Sequence, residues 1–149
     1  MKKLFSLCLM CLLAVSAMAQ DYVDLGLPSG TLWKSKNEKG KYYTYDEAVS
    51  KFGDKLPTRE QIAELQAFCT WTWNGKGCVV KGDNGNSIVL PVAGFRYCPG
   101  DVIGVGVYGG FWSSSPFDSD KAWGLGFGSS EVTMEYYSRY YGLSVRLVR

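Results

Sequence analysis

The stretch Cys78-Val79-Val80-Lys81-Gly82-Asp83-Asn84-Gly85-Asn86-Ser87-Ile88-Val89-Leu90 decides the fold class. Asn84-Gly85 is the strongest short-range signal for a β-hairpin, because both residue types tolerate the positive φ that a tight two-residue turn demands. The flanking runs, Cys78 to Lys81 and Ser87 to Leu90, then read as its two strands. Beyond the hairpin the apolar residues keep a period of two. In Ala122 to Phe127, Trp123, Leu125 and Phe127 share one face, and Gly124 and Gly126 on the other leave room for another backbone. Val132, Met134 and Tyr136 alternate with Thr133, Glu135 and Tyr137, and Leu143, Val145 and Leu147 alternate with Ser144, Arg146 and Val148. Both patterns predict half-buried antiparallel strands.

Upstream the period is that of a helix. Thr44 with Glu47, and Thr58 with Gln61 after Pro57, have the spacing of capping boxes, in which side chains satisfy the backbone donors left unpaired by a first helical turn. Tyr45, Ala48, Val49 and Phe52 form an apolar stripe that Gly53 can end by taking a left-handed conformation. Ile62, Leu65 and Cys69, with Ala63 and Phe68 beside them, make the buried face of a second helix running to about Cys69. Before these, Tyr22 to Leu25 and Thr31 to Trp33 read as short strands joined by the turn-rich Gly26-Leu27-Pro28-Ser29-Gly30, and the lysine-rich stretch to Lys41 reads as a loop. Between Pro99 and Gly110 lies a glycine- and valine-rich loop of a length usually reserved for function. With helices in the first half and antiparallel strands in the second, the class is α+β.

The start of the chain places Lys2 and Lys3 before an apolar run from Leu4 to Val15, followed by Ser16, Ala17 and Ala19. That order predicts a secretion signal cleaved after Ala19, and the run is shorter than the roughly 20 residues a helix needs to cross a bilayer. Residues 1–19 are thus the expected signal peptide and residues 20–149 a single domain, secreted, periplasmic or at the cell surface. Losing Lys2 and Lys3 brings the 16 basic residues down to match the 14 acidic ones. A chain of zero net charge without a basic cluster has no electrostatic footprint for nucleic acid or an anionic membrane. Export allows disulfides. Cys69 and Cys78 flank a short loop and are the favoured pair, with Cys98 bonded to either, or three free thiols, as the alternatives.

Several chemistries drop out. Gly104-Val-Gly106-Val-Tyr-Gly109 matches a dinucleotide fingerprint in spelling only, because Phe111 to Pro116 follows as strand then loop where a phosphate site needs a helix N-terminus. The absence of histidine excludes serine and cysteine triads of the usual kind and any zinc site built on imidazole. Carboxylate-only catalysis by Asp118, Asp120 and Glu135 remains formally open, as does calcium held by Asp118 and Asp120 with Asp101 or Glu131. Solvated loop acids are the simpler account. No cofactor and no enzymatic activity are expected.

A set of motifs carries a resemblance. Asp21-Tyr-Val-Asp-Leu-Gly-Leu-Pro-Ser-Gly-Thr-Leu-Trp33, Leu56-Pro-Thr58, Cys69-Thr-Trp-Thr-Trp73, Gly85-Asn-Ser-Ile-Val-Leu-Pro91, Ala93-Gly-Phe-Arg96, Phe111-Trp-Ser-Ser-Ser115 and Gly142-Leu-Ser-Val-Arg146 together resemble the Fibrobacter major paralogous domain family, abundant in exported proteins of Bacteroidetes-type bacteria. The resemblance implies a fold similar to C-type lectins, with two short helices, a twisted antiparallel sheet and terminal strands side by side. The chain lacks the Glu-Pro-Asn, Gln-Pro-Asp and Trp-Asn-Asp signatures of calcium-dependent sugar binding.

Half of the ten tyrosines, Tyr108, Tyr136, Tyr137, Tyr140 and Tyr141, fall in residues 108–141 among serines and glycines, with Trp112 and Trp123. Tyrosine supplies large, rigid contact area with a hydroxyl handle, and small polar residues adapt around it. Alternation puts Trp112, Trp123, Phe127, Met134 and Tyr136 inside and Glu135, Tyr137, Tyr140 and Tyr141 outside. Arg139 and Arg146 are expected to hold carboxylates or backbone carbonyls within the fold. Asp118, Asp120, Glu135, Tyr137, Tyr140 and Tyr141 are the expected contacts to an extracellular glycan or protein ligand. An assembly module of a cell-envelope complex is the alternative.

Overall fold

The computed structural model describes residues 21–97 and 100–149. The expected signal peptide, and Cys98 as a disulfide partner, lie outside the described residues. The chain opens with β1 (Tyr22–Asp24) and β2 (Leu32–Lys34), paired antiparallel with Val23 opposite Trp33. Helix α1 (Tyr45–Phe52) starts where Thr44 Oγ1 accepts from the Glu47 amide at 3.2 Å, and ends at Gly53, whose φ of 51° lets its amide reach Val49 O. A single 3-10 turn (Gly53–Lys55) leads to α2 (Arg59–Phe68), which begins with both halves of the Thr58/Gln61 capping box closed. The apolar stripes are narrower than their spacing predicts. Tyr45 and Ala48 are buried but Val49 is exposed, and Ile62 and Leu65 are buried while Ala63 and Phe68 are exposed. Each short helix lies on a sheet along one ridge, so only residues nearest its contact line lose water.

Strands β3 (Cys69–Trp73), β4 (Gly77–Gly82) and β5 (Ser87–Pro91) form a sheet in the order β3-β4-β5, with the expected hairpin between β4 and β5, though its connection is longer than two residues and Gly85 (φ 89°), not Asn84, takes the positive φ. Strand β3 was hidden in the sequence by its continuity with the helix. Its presence corrects the favoured disulfide: Cys69 and Cys78 are both free. The register sets Cys69 opposite Gly82 and Cys78 opposite Trp73. Four positions of strand separate the two, about 13 Å along the sheet, against the roughly 7 Å between Cα atoms that a disulfide tolerates. Burial raises the pKa of both thiols, with Asp83 and Glu64 adding to the effect at Cys69, so both stay protonated.

A two-residue pair, β6 (Phe95–Arg96) with β7 (Val102–Ile103), occupies part of the expected long loop. Strands β8 (Gly109–Pro116), β9 (Lys121–Phe127) and β10 (Val132–Ser138) follow in the order β10-β9-β8, all antiparallel. The third glycine of the Gly104-to-Gly109 motif therefore opens a strand, which is the wrong geometry for a pyrophosphate. Among the described residues the fold is α+β: two helices with several antiparallel sheets.

The last stretch departs from its reading as a half-buried strand. Residues 143–148 are buried on both faces and make isolated bridges: Leu143 to Tyr43, Ser144 in parallel to Phe111, and Val148 to Trp33. Leu32 and Arg149 exchange backbone hydrogen bonds of 2.9 and 3.0 Å, so the first and last segments run side by side. Arg146, 1% exposed, spends its guanidinium on Asn37 Oδ1, Lys34 O and Val89 O at 2.8, 3.0 and 2.7 Å. It joins four segments through neutral acceptors, and burial lowers its pKa to about 10.

The sheet β8-β9-β10 separates two cores. On one face Phe111, Leu125 and Phe127 pack with Ile62 and Leu65 of α2 and with Val80, Ile88 and Leu90 of the other sheet. On the other, Trp112 and Ala122 pack with Tyr45 and Ala48 of α1 and with Leu143, Val145 and Leu147.

Candidate functional site

The second core covers only part of its face. Along that face the cross-strand rows are Trp112-Gly124-Glu135 and Gly110-Gly126-Thr133, so toward one end two of the three strands carry no side chain of their own and are covered by other residues. Across it lies the ring of Tyr137. A Cβ on Gly124 would sit 3.3 Å from ring carbons of Tyr137, and one on Gly126 would collide with the Tyr137 hydroxyl. The two glycines thus make room for a tyrosine ring, an aromatic cover for glycine within a sheet. Tyr137 meets Trp112 edge-on with centroids 6.1 Å apart.

What remains open above the glycines is a groove of about 280 Å³. Its walls carry Phe95, Tyr108, Phe127, Tyr137 and Leu143; Glu131, Thr133 and Glu135 supply polar groups, and Gly109, Gly110 and Gly126 complete the lining. Thr133 Oγ1 donates to Glu135 Oε1 at 3.2 Å. Burial, the neighbouring Glu135 charge and a hydrogen bond to its carboxylate push the Tyr137 phenol far above its ordinary value, so it remains a donor. Glu135 is therefore held from two sides with acceptor capacity to spare.

The six expected contact residues are divided among four places. Glu135 and Tyr137 line this groove. Asp120 and Tyr140, with Thr44, Asp46, Ser119 and Arg139, line a separate cavity of about 220 Å³, where Tyr140 is 71% exposed. Asp118 is occupied in the turn between β8 and β9, its Oδ1 accepting from the amides of Asp120 and Lys121 at 2.8 and 2.7 Å. Tyr141 packs behind the groove wall, stacked on Phe95 at 5.9 Å and tilted against Tyr97 at 5.0 Å. Arg139 donates to the Asp118 and Lys121 carbonyls, as expected of it.

Alternation along β10 sorted the faces correctly but not their coverage. Tyr136, expected inside, is 48% exposed and sits in a rim of rings, stacked on Phe117 at 4.2 Å and edge-on to Trp123 at 5.5 Å. Tyr137, expected outside, is packed against the second core. Of the other groove residues, Phe95, Tyr108, Glu131 and Thr133 bring side chains that were not expected as contacts. Thr133 shares the face of Glu135 and Tyr137 and was legible from period two. Tyr108 belongs to the tyrosine cluster of residues 108–141 but was not among the expected contacts, and Phe95 arrives from a distant segment with no local signal. Among the described residues no three acidic or thiol side chains converge as a metal-binding group.

The fold and site define a small α+β domain with an aromatic and acidic groove on one sheet face. The family described as Domain of unknown function (DUF8237) matches residues 71–148, and the chain belongs to it. That span runs from within β3 to the C-terminal segment and contains nearly every residue of the groove and its walls. No curated protein and no solved structure matches the chain.

Proposed function

We propose that this chain is an exported binding module, similar to the Fibrobacter major paralogous domains and to C-type lectins in fold, that recognises an extracellular glycan or protein ligand through the tyrosine-bearing face of β10. The observation that carries the reading is the groove itself: aromatic side chains surrounding a few polar groups, the usual make-up of a ligand site. The side-by-side first and last segments support the lectin-like reading of the fold. The role assigned is binding, not catalysis. Glycan-array binding of the purified protein, with calcium and with chelator, tests it. A specific hit that survives chelator and disappears in a Tyr108→Ala variant supports the reading; a blank array directs the search to a protein ligand.

A second reading, an assembly module of a cell-envelope complex, is favoured by one feature. Val102, Ile103, Val105 and Val107 project from the β6-β7 region with exposures of 40 to 64%, a cluster of apolar side chains that is unusual on an isolated domain. Concentration-dependent association lost on Val105→Ser would support this reading, and a monomer at high concentration would oppose it.

A further inference from the structure

We propose that the groove takes a glycan through a free amino group, with Glu131 and Glu135 as the acceptors of its ammonium. The inference rests on the groove being the binding site and adds the charge of the ligand. Both carboxylates line the groove, and no lysine or arginine lines it with them. Among the described residues the one ion pair is Lys34 with Glu38 at 2.7 Å, so neither groove carboxylate has a cationic partner in salt-bridge reach. Glu135 is already oriented by Thr133 and Tyr137, neither of which brings a positive charge. An organic cation is the complement to such a site. Aromatic side chains attract a cation electrostatically as well as covering apolar surface, and Phe95, Tyr108 and Tyr137 surround these acids.

The kind of cation follows from hydrogen bonding and shape. A primary ammonium has N–H donors for two carboxylates, whereas a quaternary ammonium has none. The aromatic walls formed by Phe95, Tyr108 and Tyr137 suit a ring more than a single alkyl chain. The hydroxyls of Thr133, Tyr108 and Tyr137 suit a polyhydroxylated ring. An amino sugar with its amine unacetylated combines these properties.

The test compares, with the whole protein, a glucosamine tetramer, its fully N-acetylated counterpart and a short lysine-containing peptide, by calorimetry and by chemical-shift mapping of the groove. The expected result is that the free-amine tetramer binds at the groove about tenfold or more tighter than the acetylated one, the worth of a hydrogen bond to a charged group. Added salt is expected to shrink that preference. Glu131→Gln and Glu135→Gln, which keep side-chain shape and remove the charge, are each expected to reduce it about tenfold. Equal affinity for both tetramers, with shifts at Phe95, Tyr108 and Tyr137, would overturn the amine and leave the groove reading intact. Absence of shifts there with every probe would overturn both, and groove binding of the peptide alone would replace the sugar with a basic protein segment. The comparison of probes on the unmodified protein decides the matter even if a variant misfolds.

Discussion

The two faces of β8-β9-β10 are built from the same strands and differ in what covers them. One face, with Phe111, Leu125, Phe127 and Met134, is closed by α2 and the β3-β4-β5 sheet. The other is closed by α1 and the C-terminal segment over Trp112 and Ala122, while over Gly110 and Gly126 Leu143 and the Tyr137 ring cover it and the groove opens beside them. On the closed face large apolar side chains fill the centre, and openings are left at its margins, at Tyr136 and in a cavity of about 200 Å³ beside Trp71, Trp73 and Val132. On the open face glycine sets the floor and a single tyrosine ring bridges core and groove. The groove is a place where the sheet's second layer stops short.

The contrast predicts a descending series of effects. Leu125→Ala, at the centre of the closed face, is expected to cost about 3 kcal/mol in urea denaturation, since it opens a cavity that rigid neighbours cannot refill. A cost near that of a surface residue would mean the face is not close-packed. Gly126→Ala on the open face is expected to cost about 2 kcal/mol, because its methyl group displaces the Tyr137 hydroxyl. Combining it with Tyr137→Phe should recover part of that loss, and strict additivity in this cycle would show that the hydroxyl is not what the methyl meets.

The buried phenol also gives a pH signature. Unfolded, Tyr137 ionises near 10.0, whereas folded it keeps its proton to higher pH. The native state then binds the extra proton, so stability is untouched below that value and falls as pH rises above it. By about pH 11 the loss from this group is about 1.4 kcal/mol, and Tyr137→Phe should remove that share of the alkaline slope. Arg146 acts in the opposite sense: its lowered value means the unfolded state holds the extra proton between about 10 and 12.5, which raises stability there. A variant slope equal to that of the parent would show that the ring is wetter than its packing suggests. The smallest effect is expected for Glu135→Gln, within about 0.5 kcal/mol in stability, because the exposed carboxylate serves the groove more than the fold.

Much of the fold was legible because it is locally encoded. The Asn84-Gly85 hairpin, the two threonine N-caps, Gly53 as a helix end and the alternation in β9 and β10 all depend on a few neighbouring residues, and each is present. The misreadings share one cause. Cys69 and Cys78 looked like a pair only because β3 was not recognised, and strand register, a non-local property, holds them apart. Residues 143–148 looked half-buried because their alternation is visible while the β2, Tyr43 and β8 segments that enclose them are distant in sequence. Tyr136 and Tyr137 exchanged roles because period two groups side chains by face and is silent about how far each face is covered.

By itself, then, the sequence determined the α+β class, both helices, the hairpin strands and the face to which each residue of β9 and β10 belongs, since those follow from backbone propensity and periodicity over a few residues. Only the tertiary structure decided that Glu135 and Tyr137 share a groove with Phe95 and Tyr108 while Asp120 and Tyr140 line another cavity. Cavities are bounded by segments far apart in the chain, and where those segments stop depends on packing that no local pattern records.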